Sequence, residues 1–313
     1  MLTLDKVKIV TKIEYITDLN ENEFTQRTEN ERVKSHYFAM TTPFQLYIEV
    51  DYEESELVIE FTGKVLGTDY HKLISKDTIK ECFTAINDMG ICTLNIDEIL
   101  NDAEVVKCDI TTDIVCENTA GLTAYINGNI VSHRKYNCRI LGNGNLIIEK
   151  NVTTNDYKKR ITIYDKQKEM NKMDNRRFAE RYDCDMNDFT GRVRLEMNLN
   201  SKAQIRKALG IADTNLMSVL NASAEPIYDF MNEVLADDYG RTPSSRKEYE
   251  AELVLRDCNY DLTAVEAKLK ALAGKNFHPK RDLEIHRKIL AQRVPNGEYD
   301  KKKVLGMIRS VSN

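Results

Sequence analysis

Cysteine is scarce and poorly placed for any bridging role. The seven thiols, at positions 82, 92, 108, 116, 138, 184 and 258, are odd in number and include no C-x-x-C pair. Such spacing argues against a disulfide framework or a zinc site and fits reduced, buried thiols in a cytosolic protein. Long apolar runs are also missing, since none approaches the ~18 residues needed to span a membrane. The opening residues, MLTLDKVKIVTKIEYI, alternate in polarity but have no basic start followed by an apolar block, so no signal peptide is expected. A G-x-x-x-x-G-K-[ST] loop is absent too, which excludes ATP use of the P-loop kind. No internal repeat or low-complexity stretch stands out.

What is present suits a soluble protein of two domains. The chain has 313 residues, 42% hydrophobic and 30% charged. At this length roughly three quarters of the unfolded surface can be buried, so neither disulfides nor a structural metal is needed to fold. The net charge of −5 hides a strong asymmetry. Residues 1–133 hold 11 basic and 24 acidic side chains, residues 134–207 hold 18 and 10, and the remainder 16 of each. A basic middle inside an acidic chain is compatible with phosphate binding, although one solvated face would look the same.

The first two thirds read mainly as strands. Gln45–Val50 and Glu56–Thr62 flank an acidic turn and predict a hairpin. Asp77–Met89 spaces Ile79, Cys82, Phe83 and Ile86 along one helical face, with Asp77 as N-cap and Gly90 as stop. A shorter helix is expected at Ile96–Leu100. Strands follow at Val105–Val115, Leu122–Ile126, Tyr136–Leu141, Leu146–Lys150, Arg160–Tyr164 and Arg192–Leu199, with Asn143–Asn145 as a turn around Gly144. The charge-rich segment Lys166–Arg181 reads as helix. After Asn200 the pattern becomes helical, with a break at Pro226, a linker at Arg241–Ser245, and helices near 245–257, 262–273 and 280–292. The expected fold is α+β: a mainly antiparallel sheet with helices on one side over residues 1–205, then a small helical C-terminal domain over 206–313.

Side chains alternate across a strand, so three of these stretches separate a polar from an apolar face. Cys108, Ile110, Thr112 and Ile114 oppose Asp109, Thr111 and Asp113. Ile161 and Ile163 oppose Thr162 and Tyr164. Val193, Leu195, Met197 and Leu199 oppose Arg192, Arg194, Glu196 and Asn198. If the three strands share a sheet, one face collects Asp109, Asp113, Tyr164, Arg194 and Glu196. Carboxylates from separate strands can hold Mg²⁺ or Mn²⁺, and a metal-bound phosphate is open to in-line attack by a tyrosine. Lys166 or Lys168 would steady phenolate or phosphate. Four residues of strand separate Asp109 from Asp113 by ~13 Å, too far for both to bind one ion directly, and Asp109 is the first choice. The same alternation also arises in any half-exposed sheet with solvated ion pairs.

The string Val-Lys-Cys-Asp-Ile-Thr-Thr-Asp ending at Asp113 resembles the Asp-x-x-x-Asp strand of rolling-circle replication initiation factors. Ile163-Tyr-Asp-Lys-Gln-Lys-Glu169 is similar to their Ile-Tyr-(Asn/Asp)-Lys-x-x-Glu motif, and Arg194-Leu-Glu-Met-Asn-Leu199 to their Arg-(hydrophobic)-Glu strand. All three lie in the family's order, within residues 45–210. The family often carries a second acid where Asn198 stands here. The five histidines include no His-x-His pair, which separates the chain from initiators that bind their metal that way.

The resemblance implies Tyr164 as nicking nucleophile, with Asp109, Glu196 and Asp113 as ligands of Mg²⁺ or Mn²⁺. It implies origin DNA, single-stranded or hairpin, as partner, a covalent 5′-phosphotyrosine, and a free 3′-hydroxyl that primes synthesis on a plasmid or phage. A host helicase would open the duplex, a homodimer is compatible, and no membrane is involved. Lys158, Lys159, Arg160, Arg192 and Arg206 are the candidate DNA contacts, with the C-terminal helices as a second DNA-binding or interaction unit. Two other readings stand beside this one. They are a non-catalytic DNA-binding regulator of the same fold, and a relaxase-like mobilisation protein.

Overall fold

Among the described residues twelve stretches, most of them alternating in polarity, form strands: β1 (Leu4–Lys12), β2 (Ile16–Leu19), β3 (Thr25–Glu29), β4 (Arg32–Met40), β5 (Leu46–Asp51), β6 (Glu56–Thr62), β7 (Cys92–Leu94), β8 (Glu104–Val115), β9 (Tyr136–Ile140), β10 (Leu146–Lys150), β11 (Arg160–Asp165) and β12 (Arg192–Leu199). The structure is a computed structural model that describes residues 2–130, 136–142, 144–151, 159–235, 243–258, 261–292 and 299–310. Ten strands make one sheet in the order β3-β4-β5-β6-β1-β8-β12-β11-β10-β9, and β2 pairs with β7 apart from it. Neighbours run antiparallel throughout. This is the α+β plan that the sequence implies.

The apolar face of the sheet is a continuous core. Val7, Ile9, Cys108, Ile110, Ile114, Val193, Leu195, Met197 and Leu199 are all buried there. Helices Ile79–Asp88, Lys202–Leu209, Leu216–Leu220, Pro226–Val234 and Lys301–Ser310 bury Phe83, Ile205, Leu209, Val219, Phe230, Met231 and Ile308 in the same core. Pro226 opens its helix at the first turn, where a missing N–H costs nothing. A second, smaller cluster of Ala251, Leu255, Val265, Leu283 and Ile289 joins helices Arg246–Asp257, Leu262–Ala273 and Glu284–Gln292. Among the described residues, no helix is long and apolar enough to cross a membrane.

Two local expectations fail. Leu122–Ile126 lies within a helix, Thr119–Gly128, rather than a strand. Leu122, Tyr125 and Ile126 are spaced for one helical face, and the Asn118 side chain accepts from the Gly121 N–H to start it. Asp77 is not the cap of the helix Ile79–Asp88. Thr78 takes the cap position with no side-chain cap bond, because its hydroxyl is turned back to the Leu73 carbonyl at 2.6 Å. Gly90 does end that region, with φ of +69°. The expected turn and linker fall partly outside the described residues, at Asn143 and at 241–242.

β1 lies at the centre of the sheet. Its register against β8 shifts between Leu4 (opposite Ile110) and Lys6 (opposite Asp109), so Asp5 is the extra residue of a β-bulge. The bulge aims Asp5 at the polar face.

Candidate active site

The order of β8, β12 and β11 brings the three motif strands side by side. Arg194 lies opposite Asp113 on one neighbour and opposite Tyr164 on the other, Glu196 opposite Thr111 and Thr162, and Asn198 opposite Asp109. Tyr164 reaches diagonally and donates its phenolic proton to Glu196 Oε1 at 2.5 Å. Its side chain is nearly covered, at 8% exposure.

Arg194 is completely buried and spends its donors on protein. Nε and Nη2 fork onto Asp113 Oδ1 and Oδ2 at 2.7 and 2.8 Å, while Nη1 donates to Asp5 Oδ1 at 2.8 Å and to the Tyr70 hydroxyl at 3.1 Å. Burial pulls the guanidinium pKa down, but Asp113 and the neighbouring tyrosines outweigh it and hold the group well above its ordinary value. Burial likewise pushes the Asp113 carboxyl up, and the Arg194 charge and hydrogen bonds win, holding it below the usual range. Asp113 therefore serves as the partner of Arg194, with Arg192 Nη1 a further 3.7 Å from Oδ2. Arg194 and Asp113 are both buried and paired with each other, so neither a direct catalytic part for Arg194 nor metal ligation by Asp113 suits them.

Lys166 follows the nucleophile candidate as the first residue of the helix Lys166–Met170, which Asp165 caps through the Lys168 N–H. It is 2% exposed. Its ammonium donates to the Tyr70 hydroxyl and to Glu169 Oε2, both at 2.8 Å, and lies 5.7 Å from the centre of the Tyr164 ring. Asn175 in turn donates to Glu169, and Lys64 donates to Asn175 Oδ1 at 2.5 Å. Burial pushes Glu169 up, but Lys166 and Asn175 keep it low and ionised. Lys168 points elsewhere: it is 72% exposed and 3.6 Å from Asp165.

Glu196 differs from the other acids. Burial, then the charge of Asp5, push its pKa up to about 7, against the opposing pull of Arg194. Burial, followed by Glu196, also drives the Tyr164 phenol well above its ordinary value. Asp109 is raised chiefly by burial and accepts from Asn198 Nδ2 at 2.8 Å. Asp5 and Tyr70, which complete this site, escape any motif. Only the slip in apolar alternation between Leu4 and Val7 hints at the first, and nothing periodic marks the second.

Among the described residues, no three His, Cys, Asp or Glu side chains are gathered closely enough to hold a metal ion between them. Of the expected ligands, Asp109 and Glu196 remain available. They are diagonal neighbours on adjacent strands. Two half-buried carboxylates with raised pKa suit a hard cation in kind, and Mg²⁺ is often held by one or two carboxylates with waters and a substrate phosphate.

The candidate DNA contacts are dispersed. Arg160 and Arg192 lie on the Tyr164 side of their strands, and Arg160 is 3.8 Å from Glu149. Lys159 is half-buried beside β11, its carbonyl accepting from Lys150 N at 2.9 Å. Arg206 is exposed on the helix beyond the Leu199 end of β12, and Lys158 lies outside the described residues. Comparison with family models, curated proteins and solved structures found no match to the chain.

Proposed function

We propose that the chain is a cytoplasmic DNA nickase and strand transferase that starts rolling-circle replication of a plasmid or phage. The observation that carries this reading is the Tyr164–Glu196 hydrogen bond on the polar face of the sheet. A tyrosine needs a base to become a nucleophile at neutral pH, and a carboxylate poised near pH 7 is suited to accept its proton.

In this reading Tyr164 Oη attacks the phosphorus of one phosphodiester and passes its proton to Glu196. The bond from phosphorus to the 3′ oxygen breaks, and that oxygen takes a proton from water. The tyrosine keeps the 5′-phosphate, so the bond energy is stored for religation. Mg²⁺ or Mn²⁺ held chiefly by Asp109, with Glu196 contributing only the carboxylate oxygen that does not face Tyr164, would offset the charge that builds on the phosphate oxygens. Arg194, Asp113 and Asp5 form a rigid floor, and Lys166 supplies positive charge beside the phenol. Single-stranded or hairpin origin DNA is the substrate, with a helicase opening the duplex and a homodimer as a compatible assembly. Relaxase-like mobilisation would use the same chemistry on another target.

One observation favours a second reading. Tyr164 is nearly covered and its hydroxyl already satisfied, as in a structural tyrosine of a non-catalytic DNA-binding regulator. The test incubates the protein with Mn²⁺ and single-stranded hairpin DNAs and looks for a covalent adduct on a denaturing gel. The nickase reading expects an adduct that Tyr164→Phe abolishes without loss of DNA binding. Binding with no adduct in the wild type would establish the regulator instead.

A further inference from the structure

Tyr70 belongs to none of the motif strands, yet its hydroxyl is the point where the charged groups of the site meet. It accepts from Lys166 Nζ at 2.8 Å and from Arg194 Nη1 at 3.1 Å, and donates to Asp5 Oδ1 at 3.0 Å. A phenol offers one donor and two acceptor positions, so all three are used. The ring is buried edge-on against Phe178 at 5.6 Å and tilted against Phe189 at 5.8 Å, which fixes its direction. The shared oxygen thus links two buried cations, each of which also has its own carboxylate partner.

The backbone that delivers Tyr70 is itself unusual. It is a 3₁₀ segment, Gly63–Lys72, with a kink at Gly67 (φ +57°, ψ −120°). Leu73, which ends it, has φ +60° and ψ 173°, a region that is essentially glycine's alone. Three contacts hold Leu73 there. Its N–H donates to the Tyr70 carbonyl at 3.1 Å, its own carbonyl accepts from the Thr78 hydroxyl at 2.6 Å, and its side chain is buried. The next residue, Ile74, exchanges two backbone hydrogen bonds with Leu4, at 2.8 and 3.0 Å, directly before Asp5. The strained turn therefore ties the strap carrying Tyr70 to the bulge carrying Asp5. Strain of this kind persists where surrounding structure over-determines it, and it gathers at functional sites.

We propose that Tyr70 is a positioning residue for the Tyr164 site, its hydroxyl fixing the Lys166 ammonium beside the Tyr164 ring and Arg194 on the floor beneath Glu196. The Leu73 turn serves to seat it. The reaction being positioned is the nicking chemistry proposed above, so the test includes a readout independent of that reaction.

Tyr70→Phe keeps the ring and its packing and removes one oxygen. At saturating hairpin DNA with Mn²⁺, the rate of covalent adduct formation is expected to fall about tenfold, the effect of about 1.4 kcal/mol of positioning, while half-saturation by DNA stays unchanged. Independently, protein labelled with ¹⁵N at lysine Nζ is expected to show a slowly exchanging Lys166 ammonium signal, assigned by its loss in Lys166→Arg, that moves or broadens in Tyr70→Phe. Thr78→Val, which frees the Leu73 carbonyl without touching any site residue, is expected to lower the same rate. A folded Tyr70→Phe with wild-type adduct rate, or with an unmoved Lys166 signal, overturns the proposal, and a wild-type rate in Thr78→Val overturns the part given to Leu73. If the wild type forms no adduct, the nicking reading falls and the Lys166 signal alone decides the role of Tyr70.

Discussion

Replacing Arg194 by methionine would remove a guanidinium that is wholly buried and leave Asp113, 4% exposed, with its fork partner gone. Losing one member of a buried ion pair costs about 3–5 kcal/mol, because the remaining charge is desolvated and uncompensated. That is a large part of the ~5–15 kcal/mol that holds a typical domain together. Asp5 contributes less to the penalty, since its side chain is one fifth exposed and can recruit water. Removing both partners should behave differently. Arg194→Met with Asp113→Leu takes the two charges out together, and such exchanges are often neutral or stabilising. Urea unfolding followed by circular dichroism, with m unchanged, would measure all three variants. The double variant is expected to recover at least ~2 kcal/mol of what the single one loses.

The pH dependence of that loss is a second arm of the same experiment. In the wild type the Asp113 pKa is held below its unfolded value of about 3.9, so its contribution is complete above that value and is lost as pH falls through the folded pKa. In Arg194→Met the burial that pushes Asp113 up is opposed only by the weaker Lys166 and Arg192 charges, so the folded pKa rises. The carboxyl then takes up a proton at higher pH in the folded variant than in the unfolded chain, and the penalty of the single substitution shrinks as pH falls towards the unfolded value. A penalty under about 1 kcal/mol at pH 7, one that stays flat down to pH 4, or a double variant worse than the single would refute the reasoning.

Three further outcomes follow from the same geometry. Glu196 has a folded pKa of about 7, above its unfolded value, so it costs stability progressively as pH rises between about 4.3 and 7. Glu196→Gln in metal-free buffer should therefore gain on the wild type across that window, and urea midpoints that differ equally at pH 5 and pH 8 would contradict this. Mn²⁺ at ~100 times its dissociation constant should stabilise the wild type by ~2.7 kcal/mol in thermal melts. The Asp109→Asn, Glu196→Gln pair should gain nothing, and an equal rise in both would place the ion elsewhere. Gly191 has φ of +67°, and a Cβ there would lie 2.8 Å from the Cys116 carbonyl oxygen. Gly191→Ala should thus cost more than the ~1 kcal/mol of an ordinary turn substitution and disturb the entry to β12, and an unshifted melting temperature would show that the turn can relax.

Strands β5, β6 and β8 to β12 were readable from the sequence, while β1 to β4 and β7 were not, although β1 alternates with a buried side. Arg192–Leu199 ends where its periodicity ends, and Arg160–Tyr164 gains only Asp165, which closes the strand and caps the helix after it. Leu122–Ile126 misled because a short run rich in Leu, Tyr and Ile suits either element. Its three-and-four spacing and the Asn118 cap were the better guide. The central place of β1 could not be read at all. Alternation names the face of a strand and is silent on its neighbours, and here those are β6 and β8, contributed by distant parts of the chain.

The same distinction decides which site residues were legible. Tyr164, Arg194, Glu196, Asp109 and Asp113 all sit on regular strands, so once the apolar sides of those strands face one core their polar sides must meet. What each then does depends on register, which pairs Arg194 with Asp113 and leaves Asn198 for Asp109. A one-step slip in pairing would turn every one of these side chains into the core, so the buried apolar set of β8, β11 and β12 is what holds the chemistry in line. Asp5 and Tyr70 reach the site by breaking regularity, one through a bulge and the other through a strained 3₁₀ strap. Positions that owe their direction to an irregular backbone carry no periodic mark. They surface only when the partners they satisfy, here a buried arginine and a buried lysine, have been placed.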